Sequence, residues 1–111
     1  MATIEDFEKL EIRVGKILEA EDYPEARKPG YKLKIDFGPE LGVRNSFSQL
    51  VALYQRDELV GKVVLGVVNF PPRKVGSYES QVLTLGVVNN EDKVILIIPD
   101  KEGAVLGSKL N

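Results

Sequence analysis

The chain has 111 residues, of which 43% are hydrophobic and 29% charged, the mix of an ordinary globular domain, so disorder is excluded and one core spanning residues 1–111 is expected. It has no cysteine and no histidine, which removes disulfides, thiolate nucleophiles, sulfur-bound zinc and histidine-based acid–base sites. A net charge of −2 and a pI near 5.2 lack the basic surplus of a dedicated nucleic-acid binder.

The N-terminus carries Glu5, Asp6 and Glu8 where a secretion signal would be basic, and no apolar run approaches the ~20 residues of a membrane span. A cytoplasmic protein without membrane insertion is expected. Thr3 with Asp6 three positions on reads as the capped start of a short helix that puts Ile4, Phe7 and Leu10 on one face. Leu10, Ile12 and Val14 then alternate with Glu11 and Arg13 as a first strand, and the alternation fails after Gly15, where a bulge is expected.

Glu21 to Gly30, with two prolines, one glycine and five charged residues, is the first long loop. Tyr31, Leu33, Ile35 and Phe37 alternate with Lys32, Lys34 and Asp36, which predicts a half-buried second strand. Gly38 to Gly42 turns the chain, Val43 to Val51 is a weaker third strand, and Tyr54 to Val60 is a short helical segment closed by Gly61. Lys62 to Phe70 and Gln81 to Val88 are β-branched runs joined by a proline-rich loop, Pro71 to Ser80, and Lys93 to Ile98 adds a sixth strand after the Asn89 to Asp92 turn. This order gives an all-β fold: a five-stranded barrel of the oligonucleotide/oligosaccharide-binding (OB) type, with a helix between its third and fourth strands, an N-terminal helix and an extra C-terminal strand. An SH3-like barrel is the alternative.

Three groups of residues could carry a function. In the segment Asn69 to Ser80, Arg73 and Lys74 suit phosphates, while Asn69, Ser77 and Ser80 suit bases or sugars; the same composition also describes a surface loop stiffened by proline. Lys32, Lys34 and Arg44 are expected on the outer side of the second and third strands, the face such barrels use for ligands, with Arg27 and Lys28 in the preceding loop. Alternating lysines on a wet strand face are also a common solubilising pattern. Phe47, Tyr54, Phe70 and Tyr78 remain for stacking bases or holding apolar peptide side chains, or for the core. The carboxylates lack the spacing of a calcium loop or a catalytic pair, and there is no phosphate loop or nucleophile elbow. Binding without metal, cofactor or catalysis is the expectation.

Leu10 to Ile17, Glu58 to Val64 and Asn69 to Ser80, in this order and spacing, resemble the tRNA-binding-domain family, whose members stand alone or form parts of some aminoacyl-tRNA synthetases. Within it, Tyr23 to Leu33, Ile35 to Glu40 and Val68 to Arg73 resemble the CsaA branch, described as homodimeric export-related chaperones of unfolded or preprotein segments. The resemblance implies a homodimer with polypeptide clients, and tRNA as the alternative partner. It carries an RNA-facing role onto Ser48, Asn69, Arg73 and Ser80. The chain departs from the family pattern at Tyr23-Pro24, where His-Pro is common, and at Gln49 and Val82-Leu83, where a glycine and a Gly-Met pair are common. Ser48, Asn69, Arg73 and Ser80, together with Lys32, Lys34, Arg44, Phe47, Gln49, Phe70 and Lys74, make up the expected RNA- or peptide-binding site.

Overall fold

A computed structural model describes residues Met1–Asn111, and in it Tyr31, Leu33, Ile35 and Phe37 are buried together in one core, as their alternation requires. They belong to or adjoin β2 (Tyr31–Asp36). Ahead of it, α1 (Ile4–Glu8) starts on a reciprocal capping box, in which the Asp6 N–H donates to the Thr3 hydroxyl and the Thr3 N–H to the Asp6 carboxylate. Phe7 packs against the barrel, whereas Ile4 stays exposed.

The long strand β1 (Ile12–Asp22) runs antiparallel to β4 (Val63–Val67) through Ile12 to Lys16, and to β2 through Lys16 to Asp22. Its register slips between Ile17 and Glu19, so the bulge expected near Gly15 falls at Leu18, the second of the paired apolar residues. Gly15 answers a different need: a Cβ there would stand 2.6 Å from Ile35 Cγ2 and 2.7 Å from the Phe37 ring, so only glycine lets the strand lie that close. The slip restores the pattern of burial, with Ile17 in the core, Leu18 exposed and Ala20 packed against the core again.

The turn after β2 closes as a one-turn helix, α2 (Gly38–Leu41), and leads into β3 (Val43–Ser48), shorter than the expected strand. A second short helix, α3 (Arg56–Leu59), precedes β4. Pro71 to Ser80 is not an irregular loop: β5 (Arg73–Val75) and β6 (Tyr78–Ser80) pair as a hairpin about Gly76, whose φ of 62° suits a residue without Cβ. The expected strand Gln81 to Val88 is divided. Its first part, β7 (Leu83–Thr84), pairs with β4, and its second, β8 (Gly86–Val88), leaves the barrel to pair with β9 (Val94–Leu96).

The sheet order is β3-β2-β1-β4-β7. Its two ends meet where the Asn45 carbonyl accepts the N–H groups of Gln81 at 2.9 Å and Val82 at 3.2 Å, and where the buried Ser46 hydroxyl donates to the Val82 carbonyl at 2.8 Å. The result is a nearly closed antiparallel barrel with the helix in the expected place. A second apolar cluster, Ile12, Val14, Leu65 and Val67, has Phe7, Leu10 and Leu106 packed against it. Here the C-terminal segment takes up an edge of β1, since Val14 N–H donates to Ser108 O, and Gly107 and Leu110 N–H donate back to Val14 O and Ile12 O. Arg13 and Lys109 both reach Glu11, and their hydrogen bonds, Arg13's foremost, hold its carboxyl below the ordinary value.

Candidate functional site

The pairing of β2 with β3 decides which side chains share a face. Lys34 is opposite Asn45 and Lys32 opposite Phe47, while Ile35 is opposite Arg44 and Leu33 opposite Ser46. Directly paired residues project to the same side. Arg44 therefore follows Ile35 and Leu33 and does not join Lys32 and Lys34 on the outer face, contrary to expectation. Its guanidinium donates to the carbonyls of Leu41 at 3.2 Å and Val68 at 3.3 Å. Ser48 is opposite Tyr31 and lies on Arg44's side of β3, with its hydroxyl 3.4 Å from that of Ser46.

The end of the outer face around Lys32 and Phe47 is covered. The Tyr78 hydroxyl on the hairpin donates to the Leu33 carbonyl at 3.2 Å, and the Tyr23 hydroxyl, just past the end of β1, donates to the Val75 carbonyl at 2.8 Å. The ring of Tyr23 meets Phe47 edge-on at 6.0 Å and Tyr78 at 5.8 Å. The Lys32 ammonium stands 5.2 Å from the Tyr23 centroid and 5.5 Å from that of Tyr78. Phe47 is left only 7% exposed. Burial, reinforced by the charge of Glu21, pushes the Tyr78 phenol up to about 12. Stacking of bases on this face is thus closed off, and Phe70, 43% exposed, is the one aromatic side chain that stands out in solvent.

What is open is a cleft of about 550 Å³ beside the hairpin. Glu25 to Lys28 of the first loop border it on one side and Arg73 to Gly76 of the hairpin on the other, with Phe47 and Gln49 completing the lining. Arg73 also borders a smaller recess of about 180 Å³ lined by Phe70, Pro71 and Ser80 to Leu83. The cleft brings four cations together with one carboxylate, so its potential favours anionic or hydrogen-bond-accepting ligands. Lys34 is exposed on the outer face and does not line it.

Two candidate polar groups are engaged within the fold. Ser80 accepts the Phe47 N–H at 2.9 Å, and the Asn69 side chain accepts the Glu11 N–H at 2.9 Å while donating to the Lys9 carbonyl at 2.8 Å. Sequence reasoning misses Tyr23, whose only outward signal is an aromatic residue placed directly before Pro24. It also misses Gln81, whose side-chain carbonyl accepts the Asn45 N–H at 2.9 Å. No group of carboxylates converges as a metal site. No helix is long and apolar enough to cross a membrane.

Residues 12–109 match the family model described as "Putative tRNA binding domain". Among solved structures, the chaperone CsaA of Bacillus anthracis str. Ames superposes with a TM-score of 0.92 at 41% identity, covering 100% of this chain and 99% of that one. The CsaA chaperone protein of Picrophilus torridus does so with a TM-score of 0.92 at 46% identity, over 100% of both. The methionine–tRNA ligase of Pyrococcus horikoshii is 43% identical over 106 residues, which are 96% of this chain and 14% of that protein. The chain thus spans about one seventh of the ligases it matches.

Proposed function

The chain belongs to the tRNA-binding-domain family and is CsaA-like over its whole length, and from this premise we propose that it is an export-related chaperone, not an enzyme. In this reading one domain, residues 1–111, works in the cytoplasm as half of a homodimer and binds unfolded or preprotein polypeptide in an extended form. The observation that carries it is the pairing of an exposed aromatic with a polar cleft: Phe70 and Pro71 offer an apolar anchor beside Arg73, which borders both recesses. An apolar client side chain is held at Phe70, and the cleft cations hold backbone carbonyls or acidic side chains next to it.

The homodimer rests on a different surface. Val87 and Ile95 are a cross-strand pair on β8 and β9 with 55% and 39% of their surfaces exposed, and Val88 and Ile98 nearby are exposed as well. A second copy of the chain is the occupant that covers them, in keeping with the full-length likeness to the CsaA chaperones.

A second reading is a tRNA-binding protein, favoured by the four cations of the cleft. Titration with salt separates the two: affinity for an unfolded, reduced and carboxymethylated globular protein, anchored at Phe70, falls only mildly as salt rises, whereas affinity for total tRNA falls steeply. Light scattering at micromolar concentration gives a mass of twice 12.3 kDa; a monomer removes the dimer from this reading.

A further inference from the structure

The two tyrosine hydroxyls that cross between the hairpin and the barrel run in opposite directions. Tyr23 sits just past β1 and donates to the hairpin at Val75, while Tyr78 sits on the hairpin and donates to the barrel at Leu33. We propose that Tyr23 and Tyr78 form a latch that holds the β5–β6 hairpin down on the β2–β3 face, and so are positioning residues that fix Arg73 and Lys74 opposite Arg27 and Lys28. The proposal rests on the polypeptide-binding reading above and adds to it the device that sets the width of the cleft.

Apart from the two phenols, the hairpin is tied to the barrel only at its far end, where Ser80 accepts the Phe47 N–H and the Gln81 N–H donates to the Asn45 carbonyl. Its two strands have three residues each and pair only with one another, and Pro71 and Pro72, lacking N–H groups, cannot extend a ladder from its base. A two-stranded hairpin of this length is not stable by itself in water. Its place must come from contacts with the barrel: Ser80 fixes the end of β6, and the two phenol groups fix the turn end and β5. Gly76 belongs to the same arrangement, since a Cβ there would stand 2.6 Å from the Tyr23 hydroxyl. Lys32, set over both rings, completes the contact from the barrel side. Each hydroxyl removed takes away one part-buried link between hairpin and barrel. Because Arg73, Lys74 and Val75 are themselves the cleft wall, any lifting of the hairpin widens the cleft.

The test uses Tyr23→Phe and Tyr78→Phe, which keep the rings and their packing and remove only the hydroxyls. Amide exchange in the free protein is expected to speed up about five- to ten-fold at Val75 and Tyr78 in each variant and further in the double variant, with Leu33 and Ile35 unchanged. Binding of the unfolded carboxymethylated protein is expected to weaken by about three- to ten-fold, with the melting temperature close to that of the parent. Unchanged exchange at Val75 and Tyr78 overturns the latch. Faster exchange with undiminished binding overturns the positioning role. If the parent protein does not bind the unfolded probe, the chaperone reading itself falls and the positioning role with it, while the exchange comparison still decides for or against the latch.

Discussion

The Ser80 hydroxyl accepts the Phe47 N–H at 2.9 Å, so a side chain fills the place in the β3 seam where a backbone carbonyl would ordinarily stand. Both residues are buried, and the bond cannot be replaced by water without opening the barrel. Replacing Ser80 by alanine orphans that N–H and is expected to destabilise the fold by about 1–3 kcal/mol, measured by denaturant unfolding. A variant as stable as the parent would show that the seam does not depend on this hydroxyl.

Phe70→Ala separates anchoring from packing. Because Phe70 is 43% exposed and outside the core clusters, the substitution is expected to change stability by no more than about 1 kcal/mol while weakening the binding of unfolded polypeptide by about 1–3 kcal/mol. Calorimetric titration and thermal melting of the same preparation read the two effects side by side. Full affinity in the variant removes Phe70 from the site.

Arg73 and Lys74 stand on the hairpin wall of the cleft, both exposed. If tRNA binds there, exchanging both for alanine lowers the slope of log affinity against log salt by about one unit for each phosphate deprived of its cation. An unchanged slope with undiminished tRNA affinity places any RNA contact elsewhere.

Glu11 links stability to acid. Its folded carboxyl titrates below the ordinary value of 4.5, chiefly through the hydrogen bonds from Arg13 and Lys109, so the unfolded chain takes up the proton first as pH falls. The stabilisation is present above the ordinary carboxylate range and disappears as pH drops through the lowered folded value. In melting curves recorded from pH 7 to about pH 3, Glu11→Gln is expected to start lower and to decline less steeply below pH 4.5 than the parent. Parallel curves would mean that the ion cluster contributes nothing to folding.

The barrel itself is legible because Tyr31, Leu33, Ile35 and Phe37 state their period without ambiguity, and the capped start at Thr3 and Asp6 uses chemistry that few other structures need. The bulge is legible only to within a few residues because a glycine and a doubled apolar pair lie close together in Gly15 to Leu18, and alternation alone cannot tell close packing from a register slip. Arg44 lies on the unexpected face for a related reason. The parity of β3 relative to β2 depends on how many residues α2 consumes, and one residue more or fewer would have sent Arg44 outward beside Lys34. The hairpin does leave a signal in Val75-Gly76-Ser77-Tyr78, a two-residue glycine-serine connection, but its strands are too short and too polar to show a period. The cleft's cations are individually legible as candidates, but their meeting is not, since they come from segments about 46 positions apart that only the closed barrel brings together.

The docking of Gly107 to Leu110 along β1 has a kinetic side. Arg13 finds its partner on that edge in Lys109, a pairing across almost the entire chain, while the neighbouring contacts of β1 with β4 are also far apart in sequence. Closing such large loops is entropically expensive and comes late, which marks this barrel as a slow folder by its topology. Until Ser108 and Leu110 arrive, the N–H of Val14 and the carbonyl of Ile12 form a bare strand edge next to the uncovered Leu65 and Val67. During synthesis that edge is open to mispairing until the segment carrying Ser108 and Leu110 has left the ribosome, so the half-made barrel passes through a state prone to association.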